Sequence, residues 1–444
     1  MLVIPPNRSN SISIKLLVLA GLIFVSWIAS LFVLGVVAER EDRQMEAVVE
    51  TSAQWSRAQV VAGPVLSVPV ERTDVTTEGE LVVRTDTLHV LPATVAFSGD
   101  VASQSLTRGV YSVPVYTAAI VSSGAFDLTP VLVAQEENVR ILWDKAVVSL
   151  YLADTRGVTT AFDLVWGTES YEFQPSAKFA PLGESGVHAS VVIDPAQSLY
   201  DFSFAMSLKG STALEFLPLG ESTVVTFASD WSTPSFQGEF LPVEREVTEA
   251  GSRAEWQVAS YGKNLPQYWY HRSTVIEADT LLSKRFGVAF HQAVDSYTMV
   301  DRATKYAILF IVLTFLTFFM YEVLSGLRIH PVQYLLVGMA IALFYLLLLS
   351  FSEVIGFLTA YLVSAVATTL LVAGYCASVL KAKGRAGAIG VLLIALYTYL
   401  YILLQLENLS LLFGAVLLFG VLATVMYLTR KLDWYTVGSR GLET

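Results

Sequence analysis

Glu353 and Glu407 each close an apolar run, Leu348-Leu349-Ser350-Phe351-Ser352 before the first and Leu403-Leu404-Gln405-Leu406 before the second. Two carboxylates in equivalent turns at the mouth of a helical bundle would attract a cation or a proton. The plainer expectation is that they cap and solvate short turns. Glu322, Arg328 and His330 make a second group, followed by Pro331. An ion pair between Glu322 and Arg328 is one use of it, with an imidazole able to titrate near neutral pH. The plainer expectation is that Glu322 reaches headgroup water and Pro331 opens a helix, where its missing amide hydrogen costs little. The third group is Tyr268-Trp269-Tyr270-His271, with Trp231 and Trp256 in the same half. Aromatic faces in a groove stack on sugars or grip a partner's side chains. Strand alternation more simply buries one such face, Trp269 with it.

Other chemistry is hard to find. There is no Gly-x-Gly-x-x-Gly, P-loop, His-Glu-x-x-His, Gly-x-Ser-x-Gly or Cys-x-x-Cys. The five histidines, at 89, 188, 271, 291 and 330, are never at ligand spacing. The residues propose no enzyme, no metal and no cofactor, although a nucleophile assembled from distant positions leaves no local pattern.

The elements that must position these residues are mostly membrane-spanning. Leu16 to Val37 is 22 residues without a charge, longer than the roughly 30 Å hydrocarbon core requires. Five more apolar segments, 306–324, 335–351, 357–380, 388–404 and 409–428, follow in the last third. Basic residues set the orientation, because Lys and Arg stay on the cytoplasmic side during insertion. Arg8 and Lys15, then Arg328, then Lys381, Lys383 and Arg385, then Arg430, Lys431 and Arg440 all fall on one side. The opposite turns carry only Glu353 and Glu407. Residues 1–15 and 432–444 are therefore expected in the cytoplasm, with Trp434 and Tyr435 in the inner aromatic belt.

This topology leaves residues 38–305 as one segment of 268 residues on the far side. It holds 34 acidic and 19 basic residues, a net of −15, against +4 for the rest of the chain. Nucleic acid demands clustered cations and is excluded as a partner. A basic partner or a divalent ion is permitted, and a soluble, self-repelling exterior is the simpler reading. The first apolar run exceeds a signal-peptide core, and Glu39-Arg40-Glu41-Asp42-Arg43 offers no small-residue cleavage pattern, so it reads as an uncleaved anchor. The single cysteine, Cys376, lies in the fourth apolar segment, so the exported domain must be held by its core rather than by disulfides.

Within that domain Leu81–Val90, Val187–Ile193, Tyr200–Leu208 and Thr223–Phe227 alternate, or run in β-branched and aromatic residues, between Pro and Gly punctuation. Residues 39–55 and 296–305 read as helical stalks continuing the first and second spans. The expected fold is an α-helical membrane protein with six transmembrane helices, one plus five, and a large all-β, sandwich-like domain inserted between helices one and two.

Several stretches in order make the chain resemble the CreD family of inner-membrane proteins. They are Gly63-Pro64-Val65-Leu66-Ser67-Val68-Pro69, Arg108-Gly109-Val110-Tyr111-Ser112-Val113-Pro114-Val115-Tyr116 and Trp231-Ser232-Thr233-Pro234-Ser235-Phe236-Gln237-Gly238-Glu239-Phe240-Leu241-Pro242. Lys305-Tyr306-Ala307, His330-Pro331-Val332-Gln333-Tyr334 and Asp433-Trp434-Tyr435 complete the series. The resemblance implies a Gram-negative inner-membrane protein of cell envelope integrity, with one anchor, a periplasmic domain and a carboxy-terminal bundle. It also implies a link to a two-component system that responds to envelope stress, including stress from β-lactams. It carries no catalytic or ligand residues. Several marks have plain uses: Gly63 and Gly238 suit turns, Pro69 and Pro114 suit strand edges, and Pro234 breaks a ladder.

The reading that results is a non-enzymatic protein in the lipid bilayer whose periplasmic domain contacts an envelope protein or glycan, with no particular oligomer implied. The alternative is a transporter or flippase using helices three to six. Sparse charge within the spans speaks against it.

Overall fold

The computed structural model describes residues 10–75, 80–134, 136–290, 296–325, 329–379, 383–406 and 409–430. Arg8, His291, Arg328, Lys381, Glu407, Lys431, Trp434, Tyr435 and Arg440 lie outside them, so the expectations placed on those residues do too. The chain divides into two units, residues 1–44 with 294–444, and residues 45–293. Helix α1 (Asn10–Trp55) runs from the first into the second. The charged stretch after its apolar run does continue the helix, helped by an i,i+4 ion pair of Arg43 with Glu39 at 2.6 Å.

The second unit is a two-sheet sandwich, and its chain passes repeatedly between the sheets. Strands β1 (Gln59–Val75) and β2 (Leu81–Val90) enter the first sheet, β3 (Thr94–Arg108) and β4 (Tyr111–Asp127) the second. After the short helix α2 (Thr129–Val133), β5 (Val139–Ile141) and β6 (Ala146–Leu152) return to the first, and β7 (Asp163–Trp166) and β8 (Glu169–Glu172) to the second. Strands β9 (Gln174–Pro175), β10 (Gly186–Val191) and β12 (Ala213–Leu217) join the first sheet, while β11 (Leu199–Ser211) and β13 (Ser222–Ser229) join the second. Strand β14 (Pro234–Gly238) is an edge of the first sheet, and β15 (Glu244–Thr248) and β16 (Gly251–Ala259) finish the second. Helix α3 (Ser260–Lys263), β17 (Tyr268–Tyr270), helix α4 (Ala278–Leu282) and β18 (Phe286–Phe290) complete the unit, both strands in the first sheet.

Alternation explains the layering. In β3 the side chains of Val95, Phe97 and Val101 point inward at every second position, and the residues between them are exposed. They meet Leu66, Val68 and Val148 of the first sheet in one continuous core, with Trp256, Phe126 and Phe286 among its largest fully buried side chains. The four stretches expected as strands correspond to β2, β10, β11 and β13.

Three of the backbone expectations change. Gly63 sits inside β1, not in a turn, at φ 119° where the register against β6 shifts between Ala62 and Val65; only glycine adopts this bulge conformation without strain. Pro69 is mid-strand, in the gap where β6 pairing stops at Ser67 and β5 pairing starts at Val70, so no ladder amide is missed. Pro234 starts edge strand β14 instead of interrupting a ladder.

In the helical unit, α5 (Ser296–Lys305) and α6 (Ala307–Ser325) form a bent pair at 42°. They do not make one straight stalk and span: the Tyr306 amide bonds back only three residues, to Ala303, tightening the turn at the break. Helices α7 (Pro331–Ile355), α8 (Phe357–Val379), α9 (Lys383–Gln405) and α10 (Ser410–Thr429) follow. Five described helices are long and apolar enough to cross a membrane, six if the bent pair is one span. Helix α1 packs by a stripe at Ser26, Ser30, Val33 and Val37, with Phe24, Ile28 and Phe32 exposed on the other side. The two serine hydroxyls bond to the Leu22 and Trp27 carbonyls, so no polar hydrogen is stranded in the packing face. Gly338 of α7 permits this approach, because a Cβ there would collide with Ser26 Oγ and Phe315.

Candidate functional site

The carboxylates of the helical unit hold its first helix at both ends. Glu322, in the last turns of α6, accepts from Lys15 Nζ of α1 at 2.8 Å and from the Tyr334 hydroxyl of α7 at 3.0 Å. The Ile329 amide also points at Oε1, at 3.4 Å. Only 7% of the Glu322 side chain is exposed, which corrects the expectation that it reaches headgroup water. A buried carboxylate needs several donors, and three elements supply them. At the other end Glu353, in the last turn of α7, accepts from the Tyr297 hydroxyl of α5 at 3.0 Å and faces Arg40 of α1 at 3.7 Å. It is therefore a tie between helices and does more than solvate a turn.

The spacing of these two clusters is informative. Lys15 and Arg40 are 25 positions apart on α1, about 37 Å at helical rise. Tyr334 and Glu353 are 19 positions apart on α7, about 28 Å, close to the thickness of the hydrocarbon core. Between them the bundle interior is aromatic, with Phe344 4.5 Å from Tyr397 and 5.6 Å from Tyr361 between ring centroids. His330 is an N-cap. Its Nδ1 accepts from the Val332 amide at 3.3 Å and Gln333 returns a bond to its own amide, ahead of Pro331 at the first helical position.

A second constellation, which the sequence reading missed, ties the end of α1 to the sandwich. Asp154 takes the Arg57 amide at 3.0 Å and two bonds from the Arg156 guanidinium at 2.9 and 2.6 Å, and Arg156 bonds on to the Ala53 carbonyl. Hydrogen bonding from Arg156 is the chief reason the Asp154 carboxyl is held down to about 2. Buried Gln59 donates to Ser56 Oγ and to the carbonyls of Asp154 and Lys209, and accepts from the Asp154 amide. The Lys209 ammonium lies 4.3 Å from the Trp55 ring centroid. Arg108 pairs with Glu50. The only local signal was the Asp-x-Arg spacing at 154–156, common in ordinary turns.

The third constellation surrounds Trp269, whose ring is buried and so not open to stacking on a sugar, while Tyr268, Tyr270 and His271 beside it are half-buried. On the outer face of the first sheet His89, Trp269 and Phe179 pack ring against ring, with centroids 5.2 Å apart from His89 to each of the others. They join a small core with Val65, Leu91 and Leu281. The register Ser67–His89–Trp269 across β1, β2 and β17 brings them together. Ser67 Oγ lies 2.9 Å from His89 Nδ1, and burial pushes the imidazole down to about 4, with nearby His271 adding to the shift and Asp86 opposing it. Trp256 is fully buried and Trp231 packs edge-on against Phe290. Among the described residues no three His, Cys, Asp or Glu side chains gather as metal ligands.

Comparison with known proteins bears on the whole chain. The family model for inner membrane protein CreD matches residues 11–435. Inner membrane protein CreD of Escherichia coli (strain K12) is 30% identical over 427 residues, covering 95% of this chain and 93% of that protein. A match that spans the anchor, the sandwich and the bundle in one order makes this chain a member of the CreD family of inner membrane proteins.

Proposed function

We propose that this chain is a non-enzymatic inner-membrane protein that supports envelope integrity and the response to envelope stress. In this reading the sandwich lies in the periplasm and docks an envelope protein or glycan, and both termini lie in the cytoplasm. Lys15 at the start of α1, Lys383 and Arg385 in the first turn of α9 and Arg430 after α10 support that orientation. The observation that carries the docking role is the free edge of the second sheet. Strand β15 is exposed along its whole length and pairs only with β16 among the described strands. Leu241, Val243 and Val247 stand exposed on and beside it. Beside the strand, an open cavity of about 860 Å³ on the outer face of the sheet is lined by Asp100, Asp230, Glu246 and Arg253 among others. An unpaired strand edge with apolar anchors and an acidic floor suits an extended partner segment that brings backbone pairing and donor groups.

Photo-crosslinking side chains placed at 243 and 247 of the full-length protein in cells test this, against controls at the equally exposed Val165 and Val192. Capture is expected at 243 and 247 only, and Val247→Arg is expected to remove both capture and protection of a deletion strain against envelope-directed stress. Equal capture at all four positions, or full protection by V247R, would sink the reading. For transport through α7–α10, the described ionisable groups Glu322 and Glu353 sit at helix ends, and the interior polar groups Ser364, Thr368, Tyr345 and Tyr397 are hydroxyls.

A further inference from the structure

A groove runs along the outer side of the α8–α9 pair. It is about 330 Å³, and its walls include Leu358, Tyr361, Ala365, Thr369, Tyr397 and Tyr401. Along α8 the lining runs from residue 358 to 370, about 18 Å of helix, or a little over half the roughly 30 Å hydrocarbon thickness. One end lies a single residue inside the start of α8, at the turn that follows Glu353, and the other lies mid-helix. The cavity thus runs from one membrane interface to the bilayer centre, the depth of one leaflet.

The space is long and shallow, about 330 Å³ spread along those 18 Å and open on one side. The rim residues Leu358, Leu362, Val366, Leu370 and Ile394 are exposed and apolar, continuous with the bilayer-facing surface. The floor is closed by aromatic packing, with the Tyr361 hydroxyl bonded to the Tyr397 carbonyl at 2.6 Å and Tyr361 5.4 Å from Tyr401. Small residues at 365 and 369 keep the slot open, one helical turn apart.

We infer that this slot is a binding site for one acyl chain of a phospholipid, drawn from the leaflet on the Glu353 side, with Tyr401 at the headgroup end where a phenol ring is favoured. The contacts are a chain lying along two helices over the full depth of a leaflet, in place of the transient contacts of boundary lipid. Helix α10 supplies the comparison: it touches α9, as through the Tyr399 hydroxyl bond to the Phe413 carbonyl, but no residue of its 412–429 segment is buried within the chain.

The test uses the full-length protein in vesicles of phosphatidylethanolamine and phosphatidylglycerol, containing a trace of phospholipid with a photoactivatable diazirine midway along one chain. After irradiation, adducts are mapped by residue. Residues 358–370 and 394–401 are expected to carry at least about fivefold more adduct than 412–427 of α10. Filling the slot with Ala365→Phe is expected to bring the two regions level, while the milder Thr369→Leu lowers the excess in part. Native mass spectra of the detergent-purified protein are expected to show one retained phospholipid, absent from the filled variant. Equal labelling of α8–α9 and α10 in the unaltered protein would overturn the assignment and needs no variant to fold. So would an excess that survives Ala365→Phe, or a spectrum in which a second copy of the chain replaces the lipid.

Discussion

Acid should loosen the sandwich through a single imidazole. His89 is almost wholly buried, and its neighbours are Phe179, Trp269, His271 and the Ser67 hydroxyl. Protonation would put two N–H groups where only Ser67 stands within hydrogen-bond reach of the ring among the described residues, since Nε2 has no partner. The ring titrates at 6.5 when unfolded and at about 4 when folded. Between those values the unfolded chain binds more protons, so stability is complete above 6.5 and is lost as pH falls toward 4. At pH 5 the unfolded imidazole is about 97% protonated and the folded one about 10%, a difference of about 2 kcal/mol. For a unit of this size that lowers the melting temperature by about 4–8 °C. Thermal unfolding of the detergent-solubilised full chain, followed by tryptophan fluorescence at pH 7.5 and at pH 5, measures it. His89→Phe suits the aromatic surroundings and strands the Ser67 hydroxyl, a cost that does not depend on pH. The variant should therefore start lower and fall less on acidification. An unchanged acid-induced drop in H89F would refute the assignment to this residue.

Three further outcomes follow from the ties. Glu322→Ala strands the Tyr334 hydroxyl and the Ile329 amide as well as Lys15, and should cost about 1–3 kcal/mol, whereas Lys15→Ala, at a half-exposed partner, should cost under about 1 kcal/mol. Equal losses in thermal unfolding would show that the lysine is the main contribution. Gly338→Val pushes α1 off α7 at Ser26 and should destabilise the helical unit by about 1–3 kcal/mol in thermal unfolding; unchanged stability would show that the two helices are not in close contact there. Asp154→Asn should cost about 1–2 kcal/mol, discounted for the exposed Arg156 guanidinium. The unaltered carboxylate contributes fully above about 3.8 and loses its contribution as pH falls toward 2, so the variant should lose less stability than the unaltered chain over that window, and an equal loss would show that the Asp154 pair does not contribute it.

Much of the architecture was legible because it depends on patterns close together in sequence. The apolar runs at 335–351 and 357–380 are long enough to demand a bilayer, and alternation in Tyr200–Leu208 demands one buried face. The bend at Tyr306 was not legible, since it contains neither proline nor glycine and depends on one shifted hydrogen bond. Pro69 misled for a related reason. A proline is confined to positions without a ladder bond, and a gap between two partner strands is as good as an edge. Trp269 was legible as buried but not as the neighbour of His89, because β2 and β17 are brought together only by the sheet.

The carboxylates illustrate the harder case. Glu322 had a basic residue six positions away in Arg328, yet its partner Lys15 lies 307 positions earlier. Local spacing favours the near cation because nothing in a window reports which helices pack. A usable signal did exist at a larger scale. Cations bracket the first apolar run at Lys15 and Arg40, and acids bracket the third helix at Glu322 and Glu353. Matching opposite charges at both ends requires the two helices to run in the same direction, and the pairs Lys15–Glu322 and Arg40–Glu353 do place the start of α1 beside the start of α7 and the two far ends together. Parallel first and third helices leave one return crossing between them, the role of the bent α5–α6 pair. With the bent pair counted as one span, the described helices that are long and apolar enough to cross number six. The charge brackets thus fix the relative direction of α1 and α7, a relation whose first pair lies 307 positions apart and which no local window of sequence contains.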